Sequence, residues 1–524
     1  MNRIMKSALL AITLLFGPGY ALAAVYYVST SGSDSFGDGS SGSPWATISN
    51  GISNMSSGDT LIVRDGLYTG TSNFITNVPS GTPGNYTTVK AENPFQVRIQ
   101  NSGSLNYNTN FVRLTGNYTK VEGFIFDHKD SIFPPYTVEI HGSYNKIMKT
   151  IVRRKGNVDE YGGWYAVGGT YNLLEDTAGV GGARYGYYTG GPSATTNNHI
   201  FRRCVARFDY SSSNQPKAAF AVYGNDSGYG VHHVLLQNII AIDGRKGPNS
   251  GEATYGAVYF PKNVSDITIQ GAIALNNEAD HAGFFLKEMN SKAIKLENSI
   301  AWDIYGTSYI GAVRVNGSTQ GPLTLDHLTI GNSANGYYNR DSASTKILTN
   351  SLFFNNGQLG ANDSGWSTMS NNAFNPAIQA AGANSVTNNV SLTYLVMPDQ
   401  SSGLAGAATD GSDIGATVMK QYGVSGTLWG EAGYDQLTST NLWPWPYENM
   451  IKSVFSEPNN PPGGNTPSTN NTTRGFCQNT DQFGKPMTLT RYIWQYLGNQ
   501  IPSSVYTSTP MTTPTGVAVI PVVQ

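Results

Sequence analysis

Apolar and polar residues alternate along most of this chain in short runs of period two, and the runs themselves recur. The clearest copies lie at 234–243 and 294–303, where two alternating apolar stretches flank a central Asn, and 267–276 and 346–355 follow the same template. Aligned on the central residue, the copies give Gly123, Thr150, Thr177, Cys204, Asn238, Gly271, Asn298, His327 and Asn350, at intervals of 27, 27, 27, 34, 33, 27, 29 and 23 residues. Each copy predicts two short strands joined by a bend. A third strand precedes the pair at 111–115, 136–141, 219–223, 256–260 and 311–315. One such unit cannot bury its apolar row alone. Stacked units about 4.8 Å apart supply both the hydrogen bonds and the core, which predicts an all-β solenoid, a parallel β-helix. The bend suits Asn and Gly because both tolerate left-handed backbone angles, and an Asn amide can also pair with the same position one coil away.

The ends depart from the repeat. Residues 1–23 carry Arg3 and Lys6, an apolar run at 8–16 and the small-x-small signature Ala21-Leu22-Ala23, which predicts a signal peptide and export to the outside of the cell or the periplasm. No later run approaches the roughly 20 apolar residues of a spanning helix. Residues 24–105 read as an N-terminal cap and first coils, with an entry strand at 25–29, an amphipathic capping helix at 45–55 and an opening strand pair at 58–68. The body of the stack spans 106–456, its pattern blurring after Asn389. Residues 457–473 form a Pro/Asn/Gly/Thr linker, and 474–524 a small C-terminal appendage with a helix at 488–498, which reads as an attachment module.

Composition narrows the function classes. Charged residues make up only 13% of the chain against 60 Gly and 31 Tyr, the profile of an extracellular β-rich protein. A net charge of −2 argues against a nucleic-acid partner, which calls for a basic face. Cys204 and Cys477 permit a single disulfide, but a repeat-core position for Cys204 favours a small buried apolar residue.

The opening residues Tyr26-Tyr27-Val28-Ser29, Asp38-Gly39, Pro44-Trp45-Ala46-Thr47, Gly58-Asp59-Thr60 and Asp65-Gly66 with Tyr68 resemble the start of many secreted β-helix proteins of the pectate-lyase-like superfamily. With the repeats, the resemblance covers about residues 25–420. It implies a right-handed stack and an extracellular polysaccharide as partner. Lyases, hydrolases, epimerases and adhesins share that superfamily, so the resemblance is specific for fold and weak for activity. It implies Ca²⁺ with Lys or Arg for the lyases, but no such motif is matched residue by residue here.

Strand alternation sorts the side chains. In the strand before each bend pair, Val138, Ile140, Phe220, Val222, Val258, Phe260, Val313 and Val315 should point inward. Arg113, Glu139, His141, Tyr223, Tyr259, Glu288 and Arg314 should then form an outer column of aromatic and charged groups, suited either to an extended glycan or to ordinary solvation. A second, basic column after the bend is expected from Arg153, Lys155, Arg207, Asp209, Asp243, Arg245 and Lys246. Longer coils add loops near 211–216 and 247–254, beside Lys217 and Glu252. Trp164, Tyr165, Arg184, Tyr185, Tyr187 and Tyr188 make an aromatic-basic patch that suits sugar binding, or else packing over a Gly-rich coil. β-Elimination of a uronate needs a base for the C5 proton and a positive group for the carboxylate. Lys155, Arg207, Lys217 and Lys287 are the candidate bases. Glu139, His141, Arg153, Trp164, Arg184, Tyr187, Tyr223, Tyr259, Glu288 and Arg314 are the candidate binding residues. No zinc spacing, phosphate-cradling loop or nucleophile elbow is present. The chain therefore reads as a polysaccharide lyase or hydrolase, or as a non-catalytic glycan-binding or structural β-helix.

Overall fold

The computed structural model describes residues 23–457 and 473–506, apart from 104, 106–108, 129–135, 155–161, 191–195, 209–216, 225–229, 245–255, 261–263, 279–281, 288–292, 306–310, 317–321, 340–344, 358–364, 376–381, 387–402, 499–500 and 502–504. The expected signal peptide and linker fall outside the described residues. Parallel hydrogen bonds between coils gather the strands into three walls. Wall 1 runs from Val25–Val28 through Thr119–Glu122 to Thr368–Ser370, and wall 2 from Gly66–Thr69 through Phe124–His128 to Ala373–Asn375. Wall 3 runs from Ile75–Thr76 through Tyr136–Ile140 to Tyr337–Asn339. Each coil passes from wall 3 to wall 1, around the bend to wall 2, and back. This is the right-handed parallel β-helix that the repeats predict.

Register forces like residues onto like. Val121 lies on Ile147, which lies on Leu174, Phe201, Leu236, Ile269, Leu296, Leu325 and finally Leu348. All nine are buried in one continuous core, each contributing about 1.5–3 kcal/mol of apolar burial.

The bend differs from expectation in two ways. The left-handed residues are Gly123, Lys149, Asp176, Arg203, Asn238, Gly271, Asn298, His327 and Asn350, so three coils turn one residue earlier than the alignment placed them. Thr150, Thr177 and Cys204 instead project inward, where Thr150 and Thr177 meet the hydroxyls of Tyr165 and Tyr187 at 3.0 Å. A β-branched Thr is strained at positive φ, so the charged neighbour takes that position. The bend asparagines also do not pair with each other. Each offers its amide to the returning C-terminal chain: Asn298 Oδ1 accepts from Thr417 N (2.6 Å) while its Nδ2 donates to Thr417 O (3.1 Å). Asn238 does the same with Tyr422 N (2.7 Å) and Lys420 O (3.3 Å). Coil-to-coil amide pairing occurs inside, where Asn145 Oδ1 accepts from Thr119 N and Asn172 Oδ1 from Asn145 N, both at 2.8 Å.

At the N-terminal end, helix α1 (Ile48–Ser53) is capped by Thr47 Oγ1, which accepts from Asn50 N, and lays Ile48 and Ile52 over the first coil. At the other end the chain turns back as a strap along the bend ridge. It meets Asn350 at Thr409, Asn298 at Thr417, Asn238 at Tyr422, Arg202 at Val424 and Glu175 at Gly426. Helix α2 (Glu448–Phe455), a 3-10 turn at Gly475–Cys477 and helix α3 (Leu489–Tyr496) then cover wall 2, packing Trp443, Phe455, Phe476 and Ile493 on Ile151, Val205, Ile240 and Ile273. The appendage is therefore part of the stack's covering and not a detached module. Cys204 lies in the core and Cys477 against the outside of wall 2; both are buried thiols without a disulfide.

A buried charge cluster fixes the strap. Arg202 pairs with Glu175 (2.8 Å) and donates to Gln237 Oε1 (2.9 Å), Val424 O (2.7 Å) and Tyr434 O (3.0 Å). Burial pushes the Glu175 carboxyl up, but Arg203 and Arg202 outweigh it and hold it below its ordinary range. Arg202→Ala leaves Glu175 paired with Arg203 and takes this donor from the strap carbonyls of Val424 and Tyr434, and should cost about 3 kcal/mol in urea unfolding. His327 sits between Asp326 (3.1 Å) and the strap residue Asp410 (3.6 Å). Burial opposes its charge, yet the two carboxylates prevail and its pKa rises above 6.5. The folded pKa exceeds the unfolded one, so this stabilisation is complete below about pH 6.5 and is lost as pH rises through the folded value. His327→Asn should flatten the melting-temperature difference between about pH 6 and about pH 8.5; an unchanged difference would refute the assignment.

Candidate functional site

The strap and appendage cover parts of walls 1 and 2. On wall 3 the outer face is exposed at Arg113 and His141 and half-buried at Glu139, Tyr188, Tyr223 and Tyr338, while Tyr136, Tyr185, Ala218, Ala221, Ala282, Phe285 and Arg314 are buried. Its central register column is Arg113, Glu139, Ala166, Tyr188, Ala221, Tyr259, Phe285, Arg314 and Tyr338, each paired in backbone register with the next. Beside it runs a column of small residues broken by two rings: Tyr136, Gly163, Tyr185, Ala218, Gly256, Ala282 and Gly311. The rings of Tyr185, Tyr188 and Tyr223 pack over the small side chains of Ala218, Ala221 and Ala282.

Tyr188 stacks on Tyr136 (centroids 5.5 Å, planes 22° apart) and on Tyr185 (5.7 Å, 21°), and Tyr223 tilts against both Tyr185 and Tyr188. Arg184 lies over Tyr185 at 5.5 Å. Further along, the buried Arg314 guanidinium lies over Phe285 at 4.7 Å and over Tyr338 at 5.5 Å. At the other end Glu139 Oε2 and the exposed His141 Nε2 are 3.1 Å apart, near the exposed Arg113. Burial, then the neighbouring Tyr223, pushes the Tyr188 phenol up to about 12, so it is neutral at ordinary pH and serves as a ring and hydroxyl rather than a base. Such a strip offers ring faces to sugar C–H groups and fixed cations to carboxylates.

The strip gathers Glu139, His141, Arg184, Tyr223 and Arg314 from the sequence-predicted residues. Tyr259 joins it by register, and Lys287 shares a column with Asn316 two residues beyond Phe285 on the same strand. Other candidates are committed elsewhere. Trp164 and Tyr187 are fully buried because each wall 3 strand turns two successive residues inward, Trp164 with Tyr165 in one coil and Ala219 with Phe220 in another. Trp164 fills the space left by Gly179 and Gly186, where an added Cβ would lie 2.2 and 2.3 Å from its ring. The basic column on wall 2 is a structural network under the appendage. Arg153 pairs with Asp127 (2.8 Å) and Glu457 (3.3 Å), and Arg207 donates to Cys477 Sγ and Phe455 O, both at 2.8 Å. Lys217 is buried at the start of its strand, its N–H donating to Arg184 O. Lys155 and Glu288 lie outside the described residues. Tyr136, Phe285 and Tyr338 escaped the sequence reading; the alternation of Phe284-Phe285 and Tyr337-Tyr338 was the signal that could have found the last two.

Among the described residues no group of three or more His, Cys, Asp or Glu is placed to hold a metal ion. No described helix is long and apolar enough to cross a membrane.

No protein-family profile matches the chain, and no curated protein does. Solved structures of similar architecture include a rhamnogalacturonan lyase, 14% identical over 72% of this chain and 92% of its own, with a TM-score of 0.43. An alginate lyase, AlyGC, is 13% identical over 65% of this chain and 48% of its own, at 0.46. A pectate lyase is 16% identical over 76% and 96%, at 0.40. These likenesses are distant.

Two substitutions separate the inner from the outer rings. Trp164→Ala should cost about 3 kcal/mol of stability, as emptied aromatic sites do. Tyr188→Ala should cost less than that, about 1–2 kcal/mol for its lost ring contacts, and weaken acidic-oligosaccharide affinity by about tenfold, a typical loss for a central aromatic contact. Calorimetric titration beside urea melts reads both.

Proposed function

We propose that this is an exported protein that binds an acidic polysaccharide along wall 3 and cleaves it by β-elimination. The observation that carries the reading is the Arg314 cation, pinned between Phe285 and Tyr338 in a strip continuous with the Tyr136–Tyr185–Tyr188–Tyr223 rings. The rings hold successive sugar units, while Arg314, with Arg184 and Arg113, supplies positive charge for their carboxylates. Lys287, on the strand paired with that of Arg314 and in register with Asn316, is the base. Its amine takes the C5 proton. The electron pair left on C5 spreads into the carboxylate as a dianion, which the cation stabilises, then forms the C4=C5 double bond as the C4–O bond breaks. The Lys287 ammonium gives the proton to that oxygen, which leaves as the new reducing end of the other fragment. No step passes through a metal.

The test is the ultraviolet absorbance of the unsaturated product on polygalacturonate, alginate and glycosaminoglycans, with and without Ca²⁺. Absorbance should rise on at least one polymer, and Lys287→Ala should abolish that rise while leaving oligosaccharide affinity within about threefold, as expected for a group acting on the transition state. No unsaturated product and no new reducing ends on any polymer would remove the enzymatic reading. Retained affinity for an acidic oligosaccharide in that case would leave a non-catalytic glycan-binding wall.

A further inference from the structure

A second recess lies away from wall 3, where the C-terminal appendage meets the ridge of the stack. It encloses about 410 Å³ and is lined by Asn276 from a coil and by Arg474, Gln478, Gln482, Tyr492, Gln495 and Tyr496 from the appendage. That volume lies within the range of small-molecule clefts and suits one or two sugar units. Most of its lining is fixed from behind. Tyr492 Oη donates to Asp243 (2.5 Å), Tyr496 Oη to Asp303 (2.6 Å) and Gln495 Nε2 to Asp481 (2.8 Å). Gln478 and Gln482 differ: both are exposed, and neither side-chain amide makes a hydrogen bond to the described residues. The next residue, Phe483, is 72% exposed. A lone exposed ring is ordinary on a protein surface. This one is held out by a rigid turn in which Asp481 Oδ1 accepts from both Phe483 N (2.9 Å) and Lys485 N (2.8 Å).

We infer that this recess is a second glycan site, specific for a neutral saccharide unit. Amide groups that both donate and accept suit sugar hydroxyls, and the tyrosine rings and Phe483 suit sugar C–H faces. The charge argues against a uronate. Arg474 is the cation in the lining, and its guanidinium already donates to the carbonyls of Asp243 and Phe208, while the carboxylates of Asp243 and Asp303 stand behind the two tyrosines. An anionic sugar would meet that negative field with its own charge. The site stands independently of any cleavage at wall 3. It would tether the protein to neutral stretches of a mixed glycan.

Calorimetric titration of the full chain with cellohexaose, xylohexaose, mannohexaose and hexagalacturonate tests it. At least one neutral hexaose should bind saturably. The double variant Gln478→Ala/Gln482→Ala should weaken that binding by about tenfold or more with an unchanged melting temperature, as should Phe483→Ala. Tyr188→Ala on wall 3 should leave it unaltered. The inference is overturned if no neutral hexaose binds, if the double variant binds as before, if Tyr188→Ala abolishes the binding, or if hexagalacturonate competes for the same recess. Each of these is read without reference to lyase activity.

Discussion

Everything in this molecule follows from one constraint: the hydrogen bonds of every coil are made to the coil above and below, so position repeats with register. A residue chosen for one coil meets its counterpart about 4.8 Å away. Apolar rows such as Val121 to Leu348 become a core without a second layer of structure. A polar side chain at an inward position must find its partner in the same row, which is why Asn145 and Asn172 satisfy the backbone of the preceding coil. A charged row is tolerable only where something external neutralises it, and Arg153 and Arg207 meet that condition beneath Glu457 and Cys477.

The strap and appendage are the reply to the same constraint at the ridges. A left-handed bend leaves the Asn amide pointing out of the coil, with a donor and an acceptor spaced like those of a peptide. Asn238, Asn298 and Asn350 therefore read the strap as one strand reads another. Where the bend residue is Lys149, Asp176 or Arg203, charge takes over, and Arg203 pairs with Asp176 at 2.6 Å. Segments far apart in sequence are joined this way without a disulfide, and parts of two walls are covered in the process.

The solenoid was legible in the sequence because period-two alternation and a near-constant coil length are local properties. The bend was misplaced by one residue at Thr150, Thr177 and Cys204, since matching small residues by size ignores which of two neighbours carries the positive φ. The candidate site was half legible. Glu139, His141, Tyr223 and Arg314 follow from simple alternation. Trp164 and Tyr187 do not, because each wall 3 strand turns two successive side chains inward and shifts the parity of what precedes them. Arg153 and Arg207 face outward as alternation requires, but the chain that covers them lies some 250–300 residues later, near Phe455 and Glu457. No local pattern carries that information.

The aromatic rings show how the same register can close a surface or leave it open. On the ridge between walls 3 and 1, Tyr118, Tyr144 and Tyr171 all adopt left-handed backbone angles near +57° (54°, 60° and 56°), unfavourable for a bulky side chain by about 1 kcal/mol each. With a tyrosine in every coil the rings stack 4.8 Å apart and within 7° of parallel, and each face is covered by its neighbour. That stacking, about 0.5–1.5 kcal/mol a pair, offsets the backbone strain and leaves mainly edges to solvent. On wall 3 the central column interposes Ala166 before Tyr188 and Ala221 after it, while Gly163 and Ala218 flank Tyr185. Rings one coil apart are then missing their direct partners, and their faces must be covered by tilted neighbours or by something brought to the wall. The ridge stacks its tyrosines in one continuous column, whereas on wall 3 Tyr136, Tyr185 and Tyr188 pack across the small residues between them.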